Sequence, residues 1–129
     1  MKLGIPVVHG SIFRFEGMVS VFDPKNGPTY RDMVPEPPPA ELAPSCAEAG
    51  VLGVLPGIVG SIQALETIKV LLGLGEPLIG RILTIDTTDM SMRTFNLKPD
   101  PANEVTYANR DRIEVRDLDG LCAPWLVDH

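Results

Sequence analysis

Residues 44–60 read PSCAEAGVLGVLPGIVG, with a lone cysteine, Cys46, at the end of a proline-rich stretch and at the threshold of an apolar run. Two readings of that thiol stay open. Ahead of a helix, the positive end of the macrodipole stabilises a thiolate, and thiolates attack persulfides and activated carboxyl groups. Alternatively, Cys46 is a small hydrophobe on its way into the core. Glu48, two residues on, opposes thiolate formation if it lies close. The remaining chemistry-bearing residues carry weaker signals. His9 closes the apolar run IPVVH with no partner named by the sequence, the pattern of a packed histidine. Arg14, in FRFEG, is either a solvated strand residue or a cation facing a carboxylate. Tyr30 and Arg31 either anchor the following loop or meet a partner. Cys122 precedes Ala-Pro-Trp near the C-terminus, with no motif around it.

Composition narrows what such residues serve. A chain of 129 residues with 44% hydrophobic and 22% charged residues builds one globular core. Its net charge of −6, from 11 Lys and Arg against 17 Asp and Glu, argues against a nucleic-acid partner. Two cysteines far apart, without metal spacing, fit a reducing cytosol and give no disulfide framework. The opening MKLGIPVVHGS is too short and broken for a signal peptide.

The elements that must position these residues follow from hydrophobic periodicity. Residues 49–75 are apolar enough to suggest a membrane span, but Gln63, Glu66, Thr67 and Lys69 are costly in hydrocarbon. At helical period Val51, Leu55, Ile58, Ile62, Leu65, Ile68 and Leu72 form one apolar stripe. Gly53, Gly57, Gly60 and Ala64 form a second, bare ridge open to close approach. The spacing thus predicts a central buried helix covered on two sides, with Pro56 near its start and LLGLGEP at its end. Two strands precede it, from Ile5 through His9 to Phe15 and from Met18 to Phe22. A β-hairpin follows, with strands Ile82–Ile85 and Met92–Leu97 around a turn at Asp86–Asp89. Residues 23–46 read as a proline-rich loop of restricted stiffness, centred on PEPPPAELAP. Residues 99–129 read as a charged, weakly ordered tail with one short strand at Ile113–Val115.

In order, the segments F.G.V.VF, YRD, PEPPP, SCAEAGVLG and QALETIKVLLG.GEPL.GR resemble the C-terminal half of the MoeB/ThiF/HesA family, the ubiquitin-activating-enzyme-like adenylyltransferases. The likeness covers roughly the first hundred residues, with residues 1–98 as the half-domain and 23–46 as its crossover loop. It implies an α/β fold, the later part of a Rossmann-like mixed sheet with a central helix and a β-hairpin. It also implies activation of the C-terminal Gly-Gly of a ubiquitin-like sulfur-carrier protein, of MoaD or ThiS type, by adenylation. Cys46 matches the position linked there to sulfur transfer. Arg14, Tyr30 and Arg31 become candidate contacts for the carrier, as do any exposed members of the set Phe13, Phe15 and Phe22.

The resemblance also says what to expect missing. The family's nucleotide site lies in its N-terminal half, so ATP and magnesium are expected only together with that half. GLGEP ends a helix where a phosphate loop would open one. The chain therefore reads as a truncated product, an excised fragment or half of a split enzyme, completed by its N-terminal half or by a homodimer partner. Many relatives hold zinc with two Cys-x-x-Cys pairs. Thr29-Tyr30-Arg31-Asp32 stands in the first place, and residues 101–107 contain no cysteine, so no zinc is expected. The competing function is a non-catalytic module for carrier binding or dimerisation.

Overall fold

The computed structural model describes residues 1–36 and 50–115. Cys46, Glu48 and Cys122 lie outside the described residues, as does the second part of the proline-rich loop, residues 37–46.

Four strands, β1 (Val7–Phe13), β2 (Glu16–Phe22), β3 (Arg81–Asp86) and β4 (Ser91–Asn96), form one sheet in the order β1-β2-β3-β4. Every neighbouring pair is antiparallel. Among the described residues, parallel pairing is confined to two isolated bridges, Arg14 with Val51 and Val21 with Ile79. The two N-terminal strands and the C-terminal hairpin predicted from the sequence form, with shifted ends, and the two N-terminal strands also pair as a hairpin. Phe13 pairs with Glu16, leaving Arg14 and Phe15 as a two-residue turn in which Arg14 has φ 56°. Tight two-residue turns favour such positive φ, because it matches the twist of the strands. The β3–β4 turn is closed by its own side chains, since Asp86 accepts from the Thr88 N–H and Asp89 from the Ser91 N–H.

One short helix, α1 (Tyr30–Met33), lies within the crossover loop, and one long helix, α2 (Leu55–Leu72), follows it. Pro56 sits in the first turn of α2, where its missing N–H costs nothing, and Gly73 ends the helix with φ 63°. GLGEP therefore closes a helix. By length and composition α2 could cross a membrane, yet it packs along β1 and β2.

The buried side of α2 differs from the predicted stripe. Leu55, Val59 and Glu66 are buried, and Ile62 and Val70 pack beside them against Val19, Val21 and Leu78. Leu65, Ile68 and Leu72 are exposed, Leu71 by 76%. α2 is apolar around most of its circumference, so periodicity alone could not choose a side. Fit to the sheet chose it. Gly17 leaves room for Val59, whose Cγ2 lies 2.6 Å from where a Cβ would stand, and Gly10 leaves room for the end of Gln63. Gln63 in turn donates from Nε2 to the Val8 carbonyl at 3.2 Å. Close approach thus uses strand glycines; the predicted glycine ridge at Gly53, Gly57 and Gly60 meets no atom within 4 Å. Among the described residues α2 is covered on one side, by the sheet, where the sequence predicted cover on two.

The described start of the segment read as a tail, residues 99–115, is bonded to the body through the Asp100 N–H, next to the end of β4, and through Ile113 O. The Leu97 N–H donates to Gly80 O at 2.8 Å, and Lys2 Nζ donates to Ile113 O at 2.6 Å. Tyr107 lies under two cations, Lys25 Nζ at 5.5 Å and the Arg110 guanidinium at 4.4 Å from the ring centre. No strand forms at Ile113–Val115.

Candidate functional site

Side chains alternate across a strand, so residues paired in register share a face. On the face away from α2, the pairings align Ser11, Met18, Thr84 and Arg93 in one row across all four strands. Phe13, Glu16, Asp86 and Ser91 form the next row toward the hairpin tips, and His9, Ser20, Ile82 and Phe95 the row behind. The first two rows, together with Phe95, line an open depression of about 470 Å³. Phe13 and Phe95 stand half-exposed on it, at 46% and 51%. Glu16, Asp86 and Asp89 put acid along the hairpin-tip side, and Arg93 is the one cation in the lining. Hydrogen bonds from Ser91 hold the Asp89 carboxyl below its usual range.

The far end of the face is closed by aromatic packing. Tyr30 stacks on His9 and Phe22, with ring centres 5.3 and 5.7 Å apart, and His9 lies 5.7 Å from Phe22. Burial lowers the pKa of His9. A desolvated ring between two aromatics, with no carboxylate partner among the described residues, matches the packed histidine expected from the sequence. Phe22 is core, whereas Phe13 and Phe15 are half-exposed. Arg31 donates from Nη1 to Pro35 O at 3.0 Å, which turns it along the loop.

Arg14 occupies a different corner, the tip of the β1–β2 hairpin. Its guanidinium lies 5.1 Å from the Phe13 ring centre and is exposed. Its carbonyl accepts the Leu52 N–H at 2.9 Å, and Phe15 O accepts both the N–H and the hydroxyl of Thr87, at 3.0 and 2.5 Å. The segment leading into α2 therefore joins the sheet at Arg14 through Val51 and Leu52. The structure separates Arg14 at the tip from Tyr30 and Arg31 at the opposite end, and the open depression lies between them.

Sequence reasoning missed Met18, Arg93 and Phe95 as members of this surface. Alternation in MRTFN was the available signal for β4, but which side faces outward depends on where α2 lies.

The chain matches the ThiF family over residues 1–106. It belongs to that family. It is 43% identical over 125 residues to a sulfur carrier protein adenylyltransferase of Thermus thermophilus, covering 93% of this chain and 46% of that one. With a SAMP-activating enzyme E1 of Haloferax volcanii it shares 50% identity over 121 residues, covering 93% of this chain and 44% of the relative. The chain thus spans less than half the length of these relatives. Among solved structures, E. coli MccB with ATP matches with a TM-score of 0.66 at 14% identity, over 81% of this chain and 32% of that one. That likeness establishes a ThiF-type fold, an α/β arrangement with α2 on an antiparallel sheet.

Proposed function

We propose that the chain is the C-terminal part of an adenylyltransferase that activates the C-terminal Gly-Gly of a ubiquitin-like sulfur-carrier protein for sulfur transfer in the cytosol. It supplies the carrier-docking face and the transfer thiol, while ATP and magnesium bind the N-terminal half, in the same chain or another. The names of the relatives support the activity and the kind of partner. The observation that carries the docking role is the sheet face left uncovered by the described residues, where Phe13, Met18 and Phe95 present apolar surface beside Glu16, Asp86 and Arg93. Apolar centres rimmed by charge are the usual anatomy of a protein interface. Arg14 lies at the rim, where the Leu52 N–H bonds back to the sheet, so a carrier tail leaving this face by that corner meets a cation. In this arrangement Arg14 pairs with the tail carboxylate, Cys46 accepts the activated carbon or a persulfide sulfur, and Tyr30 and Arg31 border the loop.

The test is a reconstituted full-length enzyme with its carrier. Phe95→Ser and Arg93→Glu should each weaken carrier binding about tenfold or more. Cys46→Ala should abolish sulfur transfer while leaving adenylate formation intact. Unchanged carrier affinity in both surface variants sinks the docking reading, and normal transfer by Cys46→Ala sinks the thiol role. A second reading, a non-catalytic module for carrier binding or dimerisation, is favoured by one observation. Leu65, Ile68, Leu71 and Leu72 leave an uncovered apolar face on α2, which a second copy or the N-terminal half would bury. Sedimentation of the chain alone and with the nucleotide-binding half separates the two occupants.

A further inference from the structure

The start of the crossover loop and the segment after β4 meet around one side-chain nitrogen. Asn103 Nδ2 lies 2.8 Å from Asp32 Oδ1, 3.3 Å from Thr29 Oγ1 and 3.5 Å from Val105 O. Each of its neighbours is itself engaged. Asp32 Oδ1 also accepts the Asp100 N–H at 2.9 Å, and Asp32 Oδ2 accepts the Thr29 N–H at 2.7 Å. The Thr29 hydroxyl donates to Val105 O at 3.4 Å, and Asn103 Oδ1 accepts the Val105 N–H at 2.9 Å. The donor inventory closes: one amide hydrogen serves Asp32, the other is shared between Thr29 and Val105, and the carboxylate receives three N–H groups.

These are the places where the family resemblance puts two cysteine pairs around zinc, and the residues present do not fit that metal. Thr29, Asp32 and Asn103 offer hydroxyl, carboxylate and carboxamide oxygen with no thiolate or imidazole, against the nitrogen and sulfur set of a structural zinc site. The carboxamide also turns its NH2 group toward the oxygens a cation would need. Among the described residues no group of three His, Cys, Asp or Glu is placed to hold a metal.

We propose that Asn103 is a positioning residue whose amide hydrogens tie residues 29–32 to residues 100–105 without a metal, and so fix the one-turn helix that sets Tyr30 against His9 and Phe22. The tie spans about seventy residues of sequence, from Asp32 to Asn103, so it closes the crossover loop's entry onto the body of the domain. It acts whether or not the sheet face receives a carrier.

The experiment is native-state hydrogen exchange on the full-length protein, with and without EDTA, alongside metal analysis. In wild type, EDTA should leave exchange at residues 29–34 and 100–105 unchanged, and no zinc should be bound at those segments. Asn103→Ala should speed exchange about tenfold in both segments while sparing β2 and α2. Asn103→Asp keeps the shape, replaces the donors with a carboxylate facing Asp32, and should do the same, so the loss reports N–H donation and not volume. Faster exchange of wild type in EDTA, stoichiometric zinc lost together with that protection, or wild-type exchange at residues 29–34 in both variants would overturn the proposal. If neither variant folds, the two wild-type measurements still decide it.

Discussion

Glu66 and Leu78 are joined by a buried hydrogen bond that locks the end of α2 to the sheet. Glu66 is 3% exposed, and its Oε2 accepts the Leu78 N–H at 2.8 Å while Oε1 pairs with Lys69. Leu78 passes the connection on, because its carbonyl accepts the Val21 N–H at 3.1 Å. One carboxylate thus joins helix, connecting loop and central strand.

Removing that carboxylate strands the buried Leu78 N–H, while Lys69 keeps its bond to Glu76 O. Glu66→Ala should cost about 2–3 kcal/mol, and Glu66→Gln, which keeps a carbonyl acceptor for Leu78, about 1 kcal/mol. Urea unfolding measures both. Equal losses would show that Leu78 does not need the acceptor.

Two glycines should respond oppositely to a methyl group. Gly17→Ala places a Cβ against Val59, a core residue with nowhere to move, and should cost about 1–3 kcal/mol. Gly60, inside α2 with open space around it, should gain roughly 0.5–1 kcal/mol as Ala in the isolated chain. Thermal unfolding of the two variants checks the signs. A destabilising Gly60→Ala would mean that this side of α2 is already covered.

Acid should loosen the clasp from the Asp32 side. Partial desolvation pushes this carboxyl up, but hydrogen bonds from Thr29, Asp100 and Asn103 together outweigh it and hold the pKa below the ordinary 3.8. A carboxylate with a depressed folded pKa contributes stability that is complete above its unfolded pKa and lost as pH falls through the folded one. Protection of residues 29–34 should therefore be flat above 3.8 and decline only below that value. Hydrogen exchange between pH 5 and pH 2 reads this against Asp32→Asn, which should lack the transition. An acid transition of equal size in Asp32→Asn would assign it elsewhere.

Arg14 should trade stability against binding. A side chain at φ 56° costs about 1–2 kcal/mol relative to glycine, partly offset by the greater freedom of glycine in the unfolded chain. Arg14→Gly should leave stability unchanged or raise it by about 0.5 kcal/mol, whereas a β-branched Arg14→Val should lower it by more than about 1 kcal/mol. Calorimetric titration with the carrier should show about tenfold weaker binding for Arg14→Gly. Full affinity in that variant would leave the guanidinium without a role in carrier recognition.

The sequence alone determined the local elements. The two N-terminal strands, the β3–β4 hairpin, the long helix and its stop at Gly73 were legible because alternation, helical period and turn residues act over a few neighbours. The family was legible from motif order. Which side of α2 packs was not, since Leu65, Ile68 and Leu72 are as apolar as Leu55, Val59 and Ile62. Only the tertiary fit decided it, through Gly10 and Gly17 in the strands and through backbone partners for Gln63 and Glu66. The same choice turned Met18, Arg93 and Phe95 outward, so the candidate surface could not be read before the helix was placed. Arg14 and Tyr30 were legible as residues but not as opposite ends of one face. Asn103 carried no signal at all: its contacts with Thr29 and Asp32 join stretches some seventy residues apart, and a hydrogen bond leaves no periodicity in either one.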